Sequence, residues 1–162
     1  MNYKDKIDIL EVAEFIAECG SGTRVYLGCD SERYRHNDIW YADYILVVVV
    51  HKNAKHGCKI FGSVVRERDY EQRTDRPRMR LMTEAIKAAE LFLDLQPLVD
   101  QTIEVHLDIN PNEEHNSSIV INEAVGYIRA MCNVIPLVKP NAFAASYAAD
   151  RYKEVIGHRR VA

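Results

Sequence analysis

Residues 24–65 read RVYLGCDSERYRHNDIWYADYILVVVVHKNAKHGCKIFGSVV, and their patterning is that of a sheet. From Arg24 to Asp30, Val25, Leu27 and Cys29 alternate with Tyr26, Gly28 and Asp30, so one side of a strand is apolar and Asp30 closes the other. Trp40 to His51 is dense in β-branched and aromatic residues, Asn53 to Gly57 reads as a turn, and Lys59 to Val65 resumes the strand pattern. Three strands in succession predict an antiparallel meander.

Toward the N-terminus, Ile9, Val12, Ala13, Ile16 and Ala17 repeat at helical spacing from Asp8 to Cys19, and Gly20 supplies a stop. Toward the C-terminus the period changes to helical over Arg76 to Leu95, with Asp75 as N-cap and Pro97 beyond the end. A strand over Thr102–Asp108, a helix over Ser117–Ala130, a short strand over Asn133–Val138 and a helix over Ala142–Tyr152 follow. The order β-β-β-α-β-α-β-α predicts an α/β fold: a mixed five-stranded sheet flanked by helices, with residues 1–20 as an extra N-terminal helix. No repeat or composition break divides residues 1–162, so one domain is expected.

The bulk numbers exclude several classes. A chain of 162 residues that is 48% hydrophobic and 28% charged is long enough to bury a core without a structural metal or disulfides. The apolar run Tyr44 to Val50 is too short to span a membrane, and MNYKDKIDIL carries acidic residues where a signal peptide needs an apolar stretch, so a cytoplasmic location is expected. Cys19, Cys29, Cys58 and Cys132 form no Cys-x-x-Cys pair and read as buried thiols. A net charge of −3 runs against nucleic-acid binding, except where clustered carboxylates hold metal ions that reverse the local sign.

Four carboxylates stand out. Glu84 interrupts the apolar line Leu81, Ala88, Leu91, Leu95, and Met79, Met82, Ile86, Ala89 and Leu93 form a second stripe, so the helix reads as buried on most sides. A carboxylate facing inward demands a cation or strong hydrogen bonds, and an Arg partner would serve as well as a metal. Asp108 ends the strand of Ile103, Val105 and Leu107 on the opposite side from that apolar set, and Asp30 ends its own strand in the same way. Ligands collect at such strand ends, although turn and cap roles suit an Asp there equally. Gly28, two residues before Asp30, allows close approach there. Asp150 lies on the last helix beside the small residues Ala142, Ala145 and Ala149, which would let that helix lie close to the sheet. Negative charge near a helix C-terminus is unfavourable and asks for a compensating cation. Oxygen donors from two strands and two helices suit Mg2+ or Mn2+, and two such ions roughly 3.5–4 Å apart activate a water and stabilise the leaving oxygen in phosphodiester cleavage.

The segments GCDS at 28–31, RLMTE ending at Glu84, HLDINP at 106–111 and KPNAFAASYAADR at 139–151 together resemble the YkuK-type family of predicted RNase H-like nucleases, over nearly the whole chain. The placement of Asp30, Glu84, Asp108 and Asp150 is similar to the Asp-Glu-Asp-Asp set of ribonucleases H. The resemblance implies an RNase H-like fold, these four residues as catalytic metal ligands, substrates among RNA, DNA and RNA/DNA hybrids, and no membrane partner. Asp30-Ser31-Glu32 is also similar to the Asp-x-Glu of proofreading exonucleases. Those enzymes place a His or Tyr four or five residues before the last Asp, where this chain has Ser146 and Ala145, so Glu32 stands only as a candidate extra ligand.

Around this set, Ser31, Asn110, His115, Lys139, Arg78 and Arg80 are candidates for substrate contact. Arg suits bidentate phosphate recognition, and Lys139 precedes the Asn141-capped start of the last helix; both residue types are equally at home on a solvated surface. His106 and His115 are candidate proton shuttles or structural residues, and Tyr34, Trp40 and Tyr41 offer faces for base stacking or cross-strand packing. The alternative to a nuclease is an RNase H-like module that binds nucleic acid or protein without cleaving. Actin-type phosphotransfer would require glycine-rich phosphate loops, which GCDS does not match.

Overall fold

The computed structural model describes residues 6–54, 57–71, 78–109 and 117–154. Helix α1 spans Ile9–Cys19, with Asp8 Oδ1 accepting from the backbone N–H of Leu10 at 3.1 Å and Glu11 at 3.2 Å, and Gly20 at φ 87° ending it. Strands β1 (Arg24–His36), β2 (Ile39–His51) and β3 (Cys58–Arg68) form the expected meander. Helix α2 (Arg78–Leu95), strand β4 (Ile103–Leu107), helix α3 (Ser117–Cys132) and a last helix, α4, over 143–154 complete the order.

The sheet runs β3-β2-β1-β4, with β1 antiparallel to β2, β2 antiparallel to β3, and β1 parallel to β4. Strand alternation sorts its side chains. Val25, Leu27, Cys29, Leu46, Val48, Val50, Ile103, Val105 and Leu107 enter a core with residues of α1, α2 and α3, whereas Tyr26, Ile45, Val47 and Val49 pack on Ala144, Ala148 and Ala149 of α4. The sheet is thus covered on both faces, as a parallel pair requires.

The expected fifth strand is corrected. Asn133–Val138 forms only a parallel bridge between His106 and Leu137, with Leu107 N–H donating to Leu137 O at 2.9 Å and Leu137 N–H to Val105 O at 2.8 Å. The sheet therefore has four strands. Pro136 and Pro140 lack the N–H groups a longer ladder would use, and Asn141 N–H donates to Val138 O at 2.9 Å as the chain turns away.

Two further expectations change. Strand β1 does not end at Asp30 but continues to His36, turning at Asn37 and Asp38, both at positive φ, into β2. What ends near Asp30 is the parallel pairing, whose last register pair is Cys29 with Leu107. Cys19, Cys29 and Cys132 are buried, but Cys58, first residue of the edge strand β3, is exposed. Among the described residues no helix is long and apolar enough to cross a membrane.

Candidate functional site

The register that pairs Cys29 with Leu107 brings Asp30 of β1 beside Asp108, the residue that follows β4. Asp30 Oδ1 accepts from Ser31 N–H at 2.8 Å. Burial, then the charge of Asp108, pushes the Asp30 carboxyl up from 3.8 to about 6, against the opposing pull of the Ser31 N–H and Lys153. The Asp108 side chain is 18% exposed, with Lys139 Nζ 2.8 Å from its Oδ1. That oxygen is buried and receives no directed hydrogen bond among the described residues.

Glu84 approaches from the other side of the sheet. On α2, Glu84, Ala88, Leu91 and Leu95 are buried as the stripe predicts, with Glu84 itself 4% exposed; Leu81 is only partly buried, and Ala85 and Phe92 join the buried side. The second stripe is corrected: Met79 and Leu93 are 54% and 42% exposed, because the helix has packing partners on only part of its circumference. Residues 72–77, including the expected cap Asp75, lie outside the described residues; Glu71 accepts from Met79 N–H at 2.9 Å. Ser31, one residue past Asp30 and so on the opposite strand face, turns its hydroxyl toward α2 and donates to Glu84 Oε1 at 2.5 Å. Arg80 donates to the same hydroxyl oxygen at 3.3 Å. Burial raises the Glu84 carboxyl from 4.5 to about 8; the Ser31 bond and Arg80 oppose this, and the charges of Asp30 and Asp108 add to it. Ser31 thus joins the strand carboxylates to the helix carboxylate.

Helix α4 is held down by two glycines. A Cβ on Gly28 would stand 2.7 Å from Ala145 N and 2.9 Å from Ala144 C, so only glycine lets this backbone lie on β1. Gly62 of β3 receives the Tyr152 ring, whose hydroxyl donates to Gly62 O at 2.7 Å. A π-helical turn over Ala144–Ala148 widens α4 where it meets β1. Asp150, on this helix, points outward: its side chain is 62% exposed and its Oδ1 lies 3.2 Å from Lys153 Nζ. Its charge still reaches Asp30. Lys153 Nζ also lies 3.4 Å from Glu32 Oε2. Among the described residues no group of three or more His, Cys, Asp or Glu is drawn together tightly enough to hold a metal ion. Three carboxylates sense one another, and the fourth stands at the rim.

The remaining candidates divide. Arg80 borders the site, its Nε also 4.0 Å from Asp69 Oδ2, while Arg78 is committed to an exposed pair with Glu123 at 2.7 Å. Asn110 and His115 lie outside the described residues. His106 is fully buried against Tyr26 and Phe143, and its Nδ1 accepts from Ala144 N–H at 3.1 Å, which fixes a neutral ring capping α4 and leaves no solvent-facing proton shuttle. Tyr34 and Tyr41 stack across the strands with centroids 5.8 Å apart, and the Arg33 guanidinium lies 4.1 Å over the Trp40 ring. Lys153 and Tyr152 escaped the sequence reading; the i, i+3 spacing of Asp150 and Lys153 was the available signal for one of them.

The family model described as Ribonuclease H-like matches residues 9–154. No curated protein and no solved structure gives a significant match. With the match running from the first residue of α1 to the last of α4, the chain belongs to the ribonuclease H-like family.

Proposed function

We propose that this chain is a metal-dependent nuclease that hydrolyses phosphodiester bonds in RNA, DNA or their hybrid. The observation that carries the reading is three carboxylates gathered at one place, whose burial and mutual repulsion outweigh the nearby cations: Asp30 and Glu84 are pushed to about 6 and about 8, by burial first and then in part by Asp108. The buried Asp108 Oδ1, with no directed hydrogen bond among the described residues, is an oxygen donor of the kind a hard cation takes. Asp30, Glu84 and Asp108 would hold Mg2+ or Mn2+ once drawn closer together than they stand here, with Asp150, released from Lys153, as fourth donor. Bound there, a pair of ions supplies the charge and Lewis acidity that phosphodiester cleavage needs. Arg80, which reaches Ser31 beside the carboxylates, is suited to orient a phosphate.

The second reading, a ribonuclease H-like module that binds without cleaving, is favoured by one observation: lysines already stand against Asp108 and Asp150. One comparison separates the two. Wild type and Asp108→Asn are given labelled single-stranded, duplex and hybrid substrates with magnesium, manganese or chelator. The nuclease reading expects cleavage that requires the metal and falls by at least about a hundredfold in the variant. A folded wild type that binds these substrates but cuts none of them supports the binding module instead.

A further inference from the structure

Lys139 leaves the bridge segment with its backbone tied to the sheet, its N–H donating to Ile109 O at 3.0 Å. The tether fixes where the side chain starts. Its ammonium reaches Asp108 Oδ1 at 2.8 Å, and among the described residues that oxygen receives no directed hydrogen bond, so this contact is one of charge rather than an aligned N–H···O bond. The Lys139 side chain is 45% exposed and the carboxylate 18% exposed, so the cation lies on the solvent side of the anion. A lysine is a flexible point charge that leaves such a contact readily, and a divalent ion outbids it for a carboxylate oxygen. Two cations at contact distance on one oxygen repel each other, so each weakens the other's hold.

We propose that Lys139 is a displaceable counter-cation: it neutralises Asp108 in the metal-free protein and competes with the divalent ion for that oxygen, thereby lowering the metal affinity of the site. The inference rests on the metal-site reading above. It gives the acidic cluster a tolerable charge without metal and sets the divalent concentration at which the site fills.

The test is Mn2+ binding followed by the electron paramagnetic resonance of the free ion, in the wild type, Lys139→Met, Lys139→Arg, Asp108→Asn and Lys52→Met. Thermal melts establish that each is folded. Lys139→Met is expected to bind Mn2+ about three- to tenfold more tightly, from loss of a partly exposed ion pair, with Lys139→Arg within about twofold of the wild type. Lys52, exposed on the 310 turn Lys52–Ala54 after β2, makes the same change in net charge elsewhere and should leave affinity unaltered. Unchanged or weaker binding in Lys139→Met, or equal tightening in Lys52→Met, overturns the competition. A wild type that binds no Mn2+, or binding untouched by Asp108→Asn, removes the metal site itself and the proposal with it. As a second measurement, the Lys139 Cε–Hε resonance should move as Mg2+ saturates the wild type; a resonance that stays put while Mg2+ binds refutes displacement.

Discussion

Glu84→Gln should make the metal-free protein more stable, and the gain should depend on pH. In the unfolded chain Glu84 loses its proton near 4.5; in the folded protein it keeps that proton to about 8. Between those values the native state binds more protons than the unfolded state, so stability falls as pH rises and the full penalty is present above about 8. The gap between 4.5 and about 8 corresponds to about 5 kcal/mol. Asp30 adds a smaller decline in the same direction between 3.8 and about 6. Glutamine keeps the shape and an oxygen to accept from Ser31, but exchanges a charge-assisted hydrogen bond for a neutral one and buries an amide NH2, which together return about 2–3 kcal/mol. The net expectation is a gain of about 2–3 kcal/mol at about pH 9, or about 5–10 °C in Tm for a domain of this size. As pH falls the ionisation penalty disappears while the cost of the buried amide remains, so the difference should reverse and favour the wild type near pH 4.5. Urea unfolding in the presence of chelator across that range measures it. A variant no more stable than the wild type at about pH 9, or a difference that does not change with pH, would refute the argument that an uncompensated carboxylate is stored in this site.

Three smaller perturbations follow from the same geometry. Gly28→Ala drives a methyl group into the backbone of Ala144 and Ala145, which cannot rotate away, so a loss of about 1–3 kcal/mol is expected together with faster amide exchange across residues 143–154. Tyr152→Phe deletes the bond to Gly62 O and should cost about 1 kcal/mol in urea unfolding, leaving the helix docked by its ring. Ser31→Ala removes the hydroxyl that holds the Glu84 carboxyl down, so the falling limb of the stability–pH curve should extend to higher pH than in the wild type; a limb that moves to lower pH would contradict the assigned donor.

Local patterning made much of this protein legible. The spacing of Val12 and Ile16 and the stop at Gly20 defined α1, and the alternation of Val25, Leu27 and Cys29 against Tyr26, Gly28 and Asp30 assigned each β1 side chain to its face. Gly28 marked a close approach, and the small residues Ala145 and Ala149 marked a helix lying near the sheet, but only the fold shows that the two meet. These features are written in single elements, because burial of one side of a helix or strand dictates a period that neighbouring residues carry. The contacts between elements were not legible. Nothing local says that Pro136 and Pro140 reduce the fifth strand to one bridge, or that β1 outlasts its pairing with β4 and leaves Asp30 inside a strand. Nor does spacing reveal that Ser31 bonds Glu84, that Lys139 stands against Asp108, or that Asp150 turns outward to Lys153. The sequence by itself determined that Glu84 lies on an inward helix line and that Asp108 follows a strand; the tertiary structure alone decided that Asp30 lies within β1 and which cation each carboxylate meets, since a charge's partner is chosen by distance across the fold and not by position along the chain.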